Sequence, residues 1–390
     1  MRTNFEFQMT LSTLNQPVSE SSLEAEKQAA CLPVFSFFTG AGFLDSGFEK
    51  MGFASVSANE VHQPFLSAFE FSRQSKGNAD CQLYNCSIED FTAGSQRLPR
   101  LNNSSAPVGF IGGPPCPDFS IAGKQRGKSG ENGRLSGTYA RLICEQQPDW
   151  FLFENVKGLW RTKKHRAFYD EICKLFIKNG YSLTNKLINS LEYGVPQDRE
   201  RIILLGFKTK AFKSLSTGFM PEGEYPWAKD VKYDAAEILN LPWPEQTPFG
   251  ATPLPNRQCP QELTVEHWFK KNKVSEHPNA QDAFTPRAAL EKFQTIPEGD
   301  DSKKSCKRLH RWRYSPTAAY GNNEVHLHPY QARRISAAEA LAIQSLPKEF
   351  SLPSEMSLSN MFKTIGNGVP FLAACGIGSS VKSFIDERAR

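Results

Sequence analysis

Apolar positions along this chain come in short runs separated by glycine-marked turns, and their period shifts between two and about 3.6 residues. Residues 34–38, Val-Phe-Ser-Phe-Phe, predict a strand; Thr39-Gly-Ala-Gly predicts a turn; Leu44, Phe48 and Met51 then recur on one helical face. Residues 54–58 predict the next strand. Residues 108–113 predict a short buried strand ending in glycines. Asp149 to Glu154, introduced by Pro148, predicts another, and Phe168, Ile172, Leu175 and Phe176 fall at helical spacing ahead of Gly180, a natural helix stop. Arg201 to Phe207 is the last clear strand. Strands alternating with helices predict an α/β fold around a mostly parallel sheet.

The texture changes at both ends of this region. Residues 1–30 are rich in Ser, Gln and Glu and predict a loose or partly helical extension. Residues 221–260 carry many prolines and aromatics without a sustained period. The sheet domain is therefore expected over 31–207, with a smaller domain from 208 to 357. A chain of 390 residues exceeds one ordinary core, which agrees with two domains. Apolar residues make up 39% and charged residues 22%, and no apolar run approaches the ~20 residues of a membrane span, so no membrane association is expected. Nine cysteines without a Cys-x-x-Cys pair argue against zinc, any other metal site and a disulfide framework. A net charge of +5 is compatible with nucleic acid and does not by itself establish it.

Candidate chemistry concentrates in five segments. Gly112-Gly-Pro-Pro-Cys-Pro-Asp-Phe-Ser-Ile-Ala-Gly presents Cys116 from stiff backbone just past a strand end, where ligands bind in open α/β sheets. A thiol there can act as a nucleophile; a small apolar residue packed in a turn is the ordinary alternative. Gly40 and Gly42 supply a turn that lets a ligand approach the backbone at a helix N-terminus, and Glu60, ending the second strand, stands where an acid binds ribose hydroxyls in nucleotide folds. The other segments are Phe151-Leu-Phe-Glu-Asn-Val, Gly194-Val-Pro-Gln-Asp-Arg-Glu-Arg and Lys363-Thr-Ile-Gly-Asn-Gly-Val-Pro. Together, in this order, the five resemble the cytosine-C5 DNA methyltransferases of bacterial restriction-modification systems. The resemblance covers about residues 32–385, with a gap over about 209–310 where the family varies.

The resemblance implies a Rossmann-like S-adenosylmethionine-dependent methyltransferase fold with a smaller target-recognition domain, and a C-terminal segment, 358–390, that completes the catalytic domain. It implies S-adenosyl-L-methionine as cofactor, with Phe38 against the adenine and Asn367 and Val369 touching it from the closing segment. It also implies that the Cys116 thiolate adds to C6 of a flipped cytosine. Glu154, expected just past its strand, would engage the N3 side of the base, and Asn155 the local turn. Arg199 and Arg201 would reach O2, since alternation puts Gln197, Arg199 and Arg201 on one side. Two positions depart from the family, which usually has acids where Ser36 and Ser87 stand. Asp45 or Asp90 are candidates to compensate, and a carboxylate restored at either serine is expected to tighten cofactor binding.

Double-stranded DNA is the expected partner. Residues 118–138 are polar and glycine-rich and suit a mobile loop, in which Ser120, Lys124, Gln125 and Arg126 are candidates for phosphate contact or for filling the vacated base stack. Residues 303–314 hold six Lys or Arg, no acid and two Trp or Tyr. Lys303, Lys304, Lys307, Arg308 and Arg311 are accordingly candidates for phosphate contact, a solvated face being the alternative. Thr264-Val265 matches a short Thr-plus-aliphatic element of the family's recognition domains, whereas Leu341 and Ile343 are expected to pack. A monomer in the bacterial cytoplasm, paired in function with a restriction endonuclease, completes the expectation. A tRNA cytosine-C5 methyltransferase and a catalytically silent DNA-binding relative remain open as alternatives at this stage.

Overall fold

A computed structural model describes residues 31–74, 81–99, 106–115, 131–285, 290–303, 305–320 and 324–390. The expected extension over 1–30 lies outside them. Eight strands form one sheet in the order β3-β2-β1-β4-β5-β7-β6-β8. They are β1 (Leu32–Phe37), β2 (Phe53–Asn59), β3 (Gln82–Tyr84), β4 (Gly109–Gly112), β5 (Trp150–Val156), β6 (Tyr181–Asn189), β7 (Glu200–Lys208) and β8 (Gly218–Phe219). Every pairing is parallel except those of β7, which runs against both β5 and β6.

Alternation along the central strands splits the core into two layers, as a sheet covered on both faces requires. Phe35, Phe37, Phe110, Phe151 and Phe153 face one side, packed with Tyr139 and Ile143 of α4 (Glu131–Gln146) and Ile172 and Phe176 of α6 (Lys163–Lys178). Val34, Ile111, Trp150, Leu152, Ile203 and Leu205 face the other, against Phe48 of α1 (Phe43–Lys50) and Ile377, Val381 and Phe384 of α12 (Phe371–Arg388). The remaining helices in the sheet region are α2 (Gln63–Gln74), α3 (Glu89–Thr92) and α5 (Lys157–Arg161). Gly180 ends α6 at φ 85°, as its position suggested.

Two expectations need correction, and one strand was not anticipated. Strand β5 continues to Val156, so Glu154 stands inside the strand; its backbone is held by the ladder to β7, where it pairs with Ile203. Strand β6 had no periodic signal strong enough to predict it. The boundary at 208 is too early, because Phe212 and Tyr225 pack with Phe207 and Phe384 in the sheet's own core, and β8 pairs with β6. Phe207 and Phe384 bring their ring centroids to 4.4 Å.

Past this point regular structure becomes sparse. Four short helices, α7 (Ala235–Leu239), α8 (Val265–Lys271), α9 (Leu290–Thr295) and α10 (Ala337–Ile343), are joined by loops held through buried polar groups. Leu341 and Ile343 are buried, as expected. Helix α11 (Leu358–Asn367) then links the two parts, its Met361, Phe362 and Ile365 sharing a core with α10, α8 and Phe43 and Phe65 of the sheet region. The stretch 358–388 is long and apolar enough to cross a membrane by composition, but 61% of its most apolar part is buried in the fold, and Gly368–Pro370 break it into α11 and α12.

Five of the seven histidines lie between residues 208 and 357, and burial lowers the pKa of each. His326 is the extreme case. Burial, aided by Lys307, pushes its pKa down to about 3, and Tyr320 OH lies 3.5 Å from its Nδ1. Above the unfolded value of about 6.5 both states hold a neutral ring. As pH falls below that value the unfolded chain takes up a proton that folded His326 refuses, so stability drops by about 1.4 kcal/mol per pH unit for this group. Urea unfolding between pH 7.5 and 5 should therefore show a shallower pH slope for His326→Gln, by about one proton; parallel slopes would contradict it.

Candidate active site

Parallel strands bring their C-terminal ends to one edge, and the connections leaving β1 (toward β2) and β4 (toward β5) part there in opposite directions, which opens a crevice for a ligand. At the end of β1, Phe38 adopts φ 56°, an unfavourable conformation for a residue with a side chain, and its ring stands edge-on to Tyr139 at 6.0 Å. Gly42 follows at φ 81° as the N-cap of α1. A side chain at Gly42 would also meet Arg73 Nη1 at 2.6 Å and Phe69 at 2.7 Å. Arg73 is itself fixed by Glu49, Nη2 to Oε1 2.7 Å, so the turn is pressed against a rigid wall.

Glu60 reaches back from the end of β2: its Oε2 accepts from Gly40 N at 3.1 Å and its Oε1 from His62 N at 2.9 Å. Burial raises its pKa, while these backbone donors oppose the rise. A carboxylate has further lone pairs, so these two bonds leave it able to accept from a hydroxyl pair. Asn85, which the sequence did not single out, donates to the carbonyls of Glu60 and Val61 at 2.9 and 3.0 Å and holds that corner. Thr364 Oγ1 on α11 accepts from Ala41 N at 3.1 Å, bringing the C-terminal segment onto the turn. Asn367 is exposed at the end of that helix, whereas Val369 is buried in the core beside α12. A half-exposed aromatic, a carboxylate and a glycine turn at a helix N-terminus fit an adenosine-bearing cofactor.

The second half of the site lies one strand pair away. Because β7 is reversed, its first residues, and not its last, reach the functional edge; Arg201 pairs with Val156 there. Arg201 Nε lies 3.0 Å from Glu154 Oε1, with both side chains largely buried. Glu154 Oε2 would be 2.8 Å from a Cβ on Gly113, and Tyr139 2.8 Å from one on Gly112. These two glycines are needed for close approach: the segment leading to Cys116 lies directly against the Glu154 carboxylate and the Tyr139 ring. The described chain stops at Pro115, so Cys116 lies outside it, as do Ser120, Lys124, Gln125, Arg126 and Lys304. Asn155 is buried, with Oδ1 accepting its own strand's Val156 N at 2.9 Å.

The sequence profile of the C-5 cytosine-specific DNA methylases matches residues 32–383. The chain belongs to this family. It is 53% identical to the type II methyltransferase M.NmeDI of Neisseria meningitidis serogroup C over 99% of this chain and 90% of that protein. It is 30% identical to the type II methyltransferase M.FnuDI of Fusobacterium nucleatum over 92% and 96% of the two chains. A prophage-encoded Escherichia coli protein described as a DNA modification methyltransferase shares the fold at 20% identity, with a TM-score of 0.60 over 91% of this chain and 99% of that one. The enzyme class is thereby DNA cytosine-C5 methylation, and neither the tRNA enzyme nor the silent relative is favoured.

Within this methyltransferase, Arg199 is placed differently from the expectation. It is 1% exposed, and its guanidinium donates to Ala318 O at 3.3 Å and Gly366 O at 3.1 Å. It holds backbone behind the site, and only Arg201 faces Glu154. Arg308 and Arg311 are also corrected. Arg308 is buried and donates to the carbonyls of Phe293, Ile296, His328 and Gln331, and burial lowers its pKa to about 10. Arg311 pairs two-pronged with Glu298, at 2.8 and 2.7 Å, and donates to Ala251 O at 3.1 Å. Guanidinium groups carry five donors in a plane, which suits them to tying loop carbonyls where helices and strands are few. Lys303 is exposed and Lys307 half-buried. Thr264 caps α8, and both it and Val265 are fully buried, so the matched pair packs within the fold.

The departures at Ser36 and Ser87 also resolve. Ser36 is buried in β1, and its hydroxyl hydrogen-bonds the Asp45 carboxylate, which also accepts from Ser55 Oγ at 3.1 Å. Asp45 is fully buried with Oδ2 unpartnered, and burial raises its pKa. The carboxylate missing from the strand is thus present on the facing helix. At the other position, Ser87 N donates to Asp90 Oδ2 at 3.0 Å. This reverses the expectation for Ser36→Asp: it would bury a second carboxylate beside the first and lower the unfolding temperature and cofactor affinity. Ser36→Asp combined with Asp45→Ser should recover both, by thermal denaturation and calorimetry; a single variant as stable as wild type would contradict the pairing. Arg311→Gln should likewise lower the unfolding temperature, which Lys303→Gln should leave unmoved.

Proposed function

We propose that this enzyme methylates a specific cytosine of duplex DNA by thiolate addition from Cys116, with Glu154 and Arg201 stabilising the activated ring. The observation that carries this reading is the Glu154–Arg201 pair packed against Gly113, three residues before the cysteine. Cytosine C5 is a weak nucleophile. Addition of a thiolate to C6 pushes the ring electrons toward N3 and O2 and leaves C5 electron-rich, which divides one difficult step into easier ones. Charge gathering at N3 and O2 calls for a proton donor and a cation, the roles given to Glu154 and Arg201. Once C5 has taken the methyl group, loss of its proton expels the thiolate and the N3 proton returns to Glu154, which restores the ring. The target cytosine is reached only by flipping it from the duplex.

Phe38, Gly40, Gly42, Glu60 and Asn367 would hold S-adenosylmethionine, which supplies an electrophilic methyl group when bound. Val369 acts by packing beneath the closing segment. Ser120, Lys124, Gln125 and Arg126, with Lys303, Lys304 and Lys307, are assigned to the DNA backbone or the vacated stack. The type II relatives support a role as the modification half of a restriction-modification pair, and we take the enzyme to act in the cytoplasm as a monomer.

Methyl transfer to unmethylated genomic DNA followed by bisulfite sequencing tests activity and target together. Cys116→Ala should abolish transfer and leave cofactor binding within about threefold, because the thiol acts on the base. A duplex with 5-fluorocytosine at the target should form a covalent adduct with wild type and none with Cys116→Ala. Glu154→Gln should slow turnover by about 10²-fold or more while duplex affinity changes little. Normal turnover by Cys116→Ala would end this mechanism.

A further inference from the structure

Gln344, the C-cap of α10, is fully buried at the end of a helix whose other residues, apart from Glu339, are apolar, and nothing in the chemistry above uses it. Its side chain joins two places. Its Oε1 accepts from Gln197 Nε2 at 3.2 Å, four residues before Arg201, and its Nε2 donates to Ile365 O. Its own backbone carbonyl accepts from Phe371 N at 2.9 Å, and the neighbouring Ser345 Oγ accepts from Leu372 N at 3.0 Å. The segment Gly366–Pro370 is therefore gripped at both ends by one corner of the recognition part.

The same corner grips the base-facing strand. Gln197 Oε1 accepts from Ala318 N at 3.1 Å, Arg199 donates to Ala318 O and to Gly366 O, and Ser315 accepts from Asp198 N and donates to Pro196 O on either side of Gln197. A side chain on Gly366 would meet Tyr320 N at 2.9 Å, so the closing segment lies hard against the same strip of chain. Gln344, Gln197, Arg199, Ser315, Ala318 and Gly366 are all buried, and each bond broken among them leaves an unsatisfied donor or acceptor. Movement of α10 therefore cannot leave Ile365–Asn367 and Gln197–Arg201 in place.

We infer that Gln344 is a positioning residue that sets the cofactor-closing segment and the base-facing strand together, and so makes seating of the recognition part on DNA tighten the cofactor site. The inference rests on the reading of Asn367 and Arg201 given above. Coupling of this kind is reciprocal, so it is measurable as a change in cofactor affinity on adding duplex.

Gln344→Met keeps the length of the side chain and removes both bonds. Calorimetry on the full chain with S-adenosylmethionine, with and without a saturating duplex carrying the bisulfite-defined target, reads the effect. The variant should weaken cofactor binding about tenfold, equivalent to about 1.4 kcal/mol, and bring the enhancement by duplex close to one. Ile343→Val, a neighbouring core shortening, should lower the unfolding temperature and leave cofactor affinity and enhancement as in wild type. Should Gln344→Met fail to fold, Gln197→Met makes the same test from the other partner and should diminish the enhancement, with a smaller change in cofactor affinity. Unchanged enhancement in either folded glutamine variant overturns the proposal, as does wild type without enhancement or Ile343→Val matching Gln344→Met. Wild type that binds no S-adenosylmethionine at all removes the cofactor assignment itself, and this proposal with it.

Discussion

The buried guanidinium of Arg199 is the fixed point of this molecule. It gathers the carbonyls of Ala318 and Gly366, from two distant parts of the chain, onto the lead-in to β7. A buried guanidinium draws its hydrogen bonds from the protein around it, so this one ion constrains the strips of backbone it touches. The recognition part, the C-terminal helix and the sheet are joined here by polar bonds as well as by the apolar core shared among α8, α10, α11 and Phe43. Few helices and strands occupy 208–357, and buried arginines take over the work of a ladder there: Arg308 ties four carbonyls, and Arg311 with Glu298 ties the loop at Ala251.

The direction of β7 matters as much. Had it run parallel to β5, the Gln-x-Arg-x-Arg segment ahead of it would lie at the opposite edge of the sheet from Glu154. Reversal puts the start of one strand beside the end of the other, and a diagonal pair across two residues, Val156 opposite Arg201 and Glu154 opposite Ile203, brings carboxylate and guanidinium together on one face. The glycines before Cys116 complete this geometry by leaving no side chain between backbone and carboxylate.

Much of this was legible from residue patterns. Period-two and helical spacing located β1, α1, β4 and α6, because buried strands and amphipathic helices leave local signatures. Strand β6 did not, since its polar positions and its partner β7 make sense only once the ladder is formed. The roles of Arg199, Arg308 and Arg311 were misread for a related reason. A basic residue in sequence looks like a contact to a base or a phosphate, and only three-dimensional packing shows that its partners are the carbonyls and carboxylate of chain it helps to bury. Asn85 and Gln344 carried no signal beyond their positions, a polar residue after a strand and a glutamine ending an apolar helix. At Ser36 the sequence showed a lost carboxylate with Asp45 as a candidate replacement, and the pairing itself was seen only once strand and helix faced each other.

One contact in the cofactor region spans nearly the whole chain: Ala41 N donates to Thr364 Oγ1 across 323 residues. During synthesis the glycine turn leaves the ribosome long before the helix that closes it, by roughly 15 to 65 s at typical elongation rates. Throughout that interval the nascent chain carries its catalytic strands without a complete cofactor site. Its activity is therefore withheld until the C-terminal helices have emerged and docked, and a chain cut short before α11 would have most of the sheet and no means of closing the pocket.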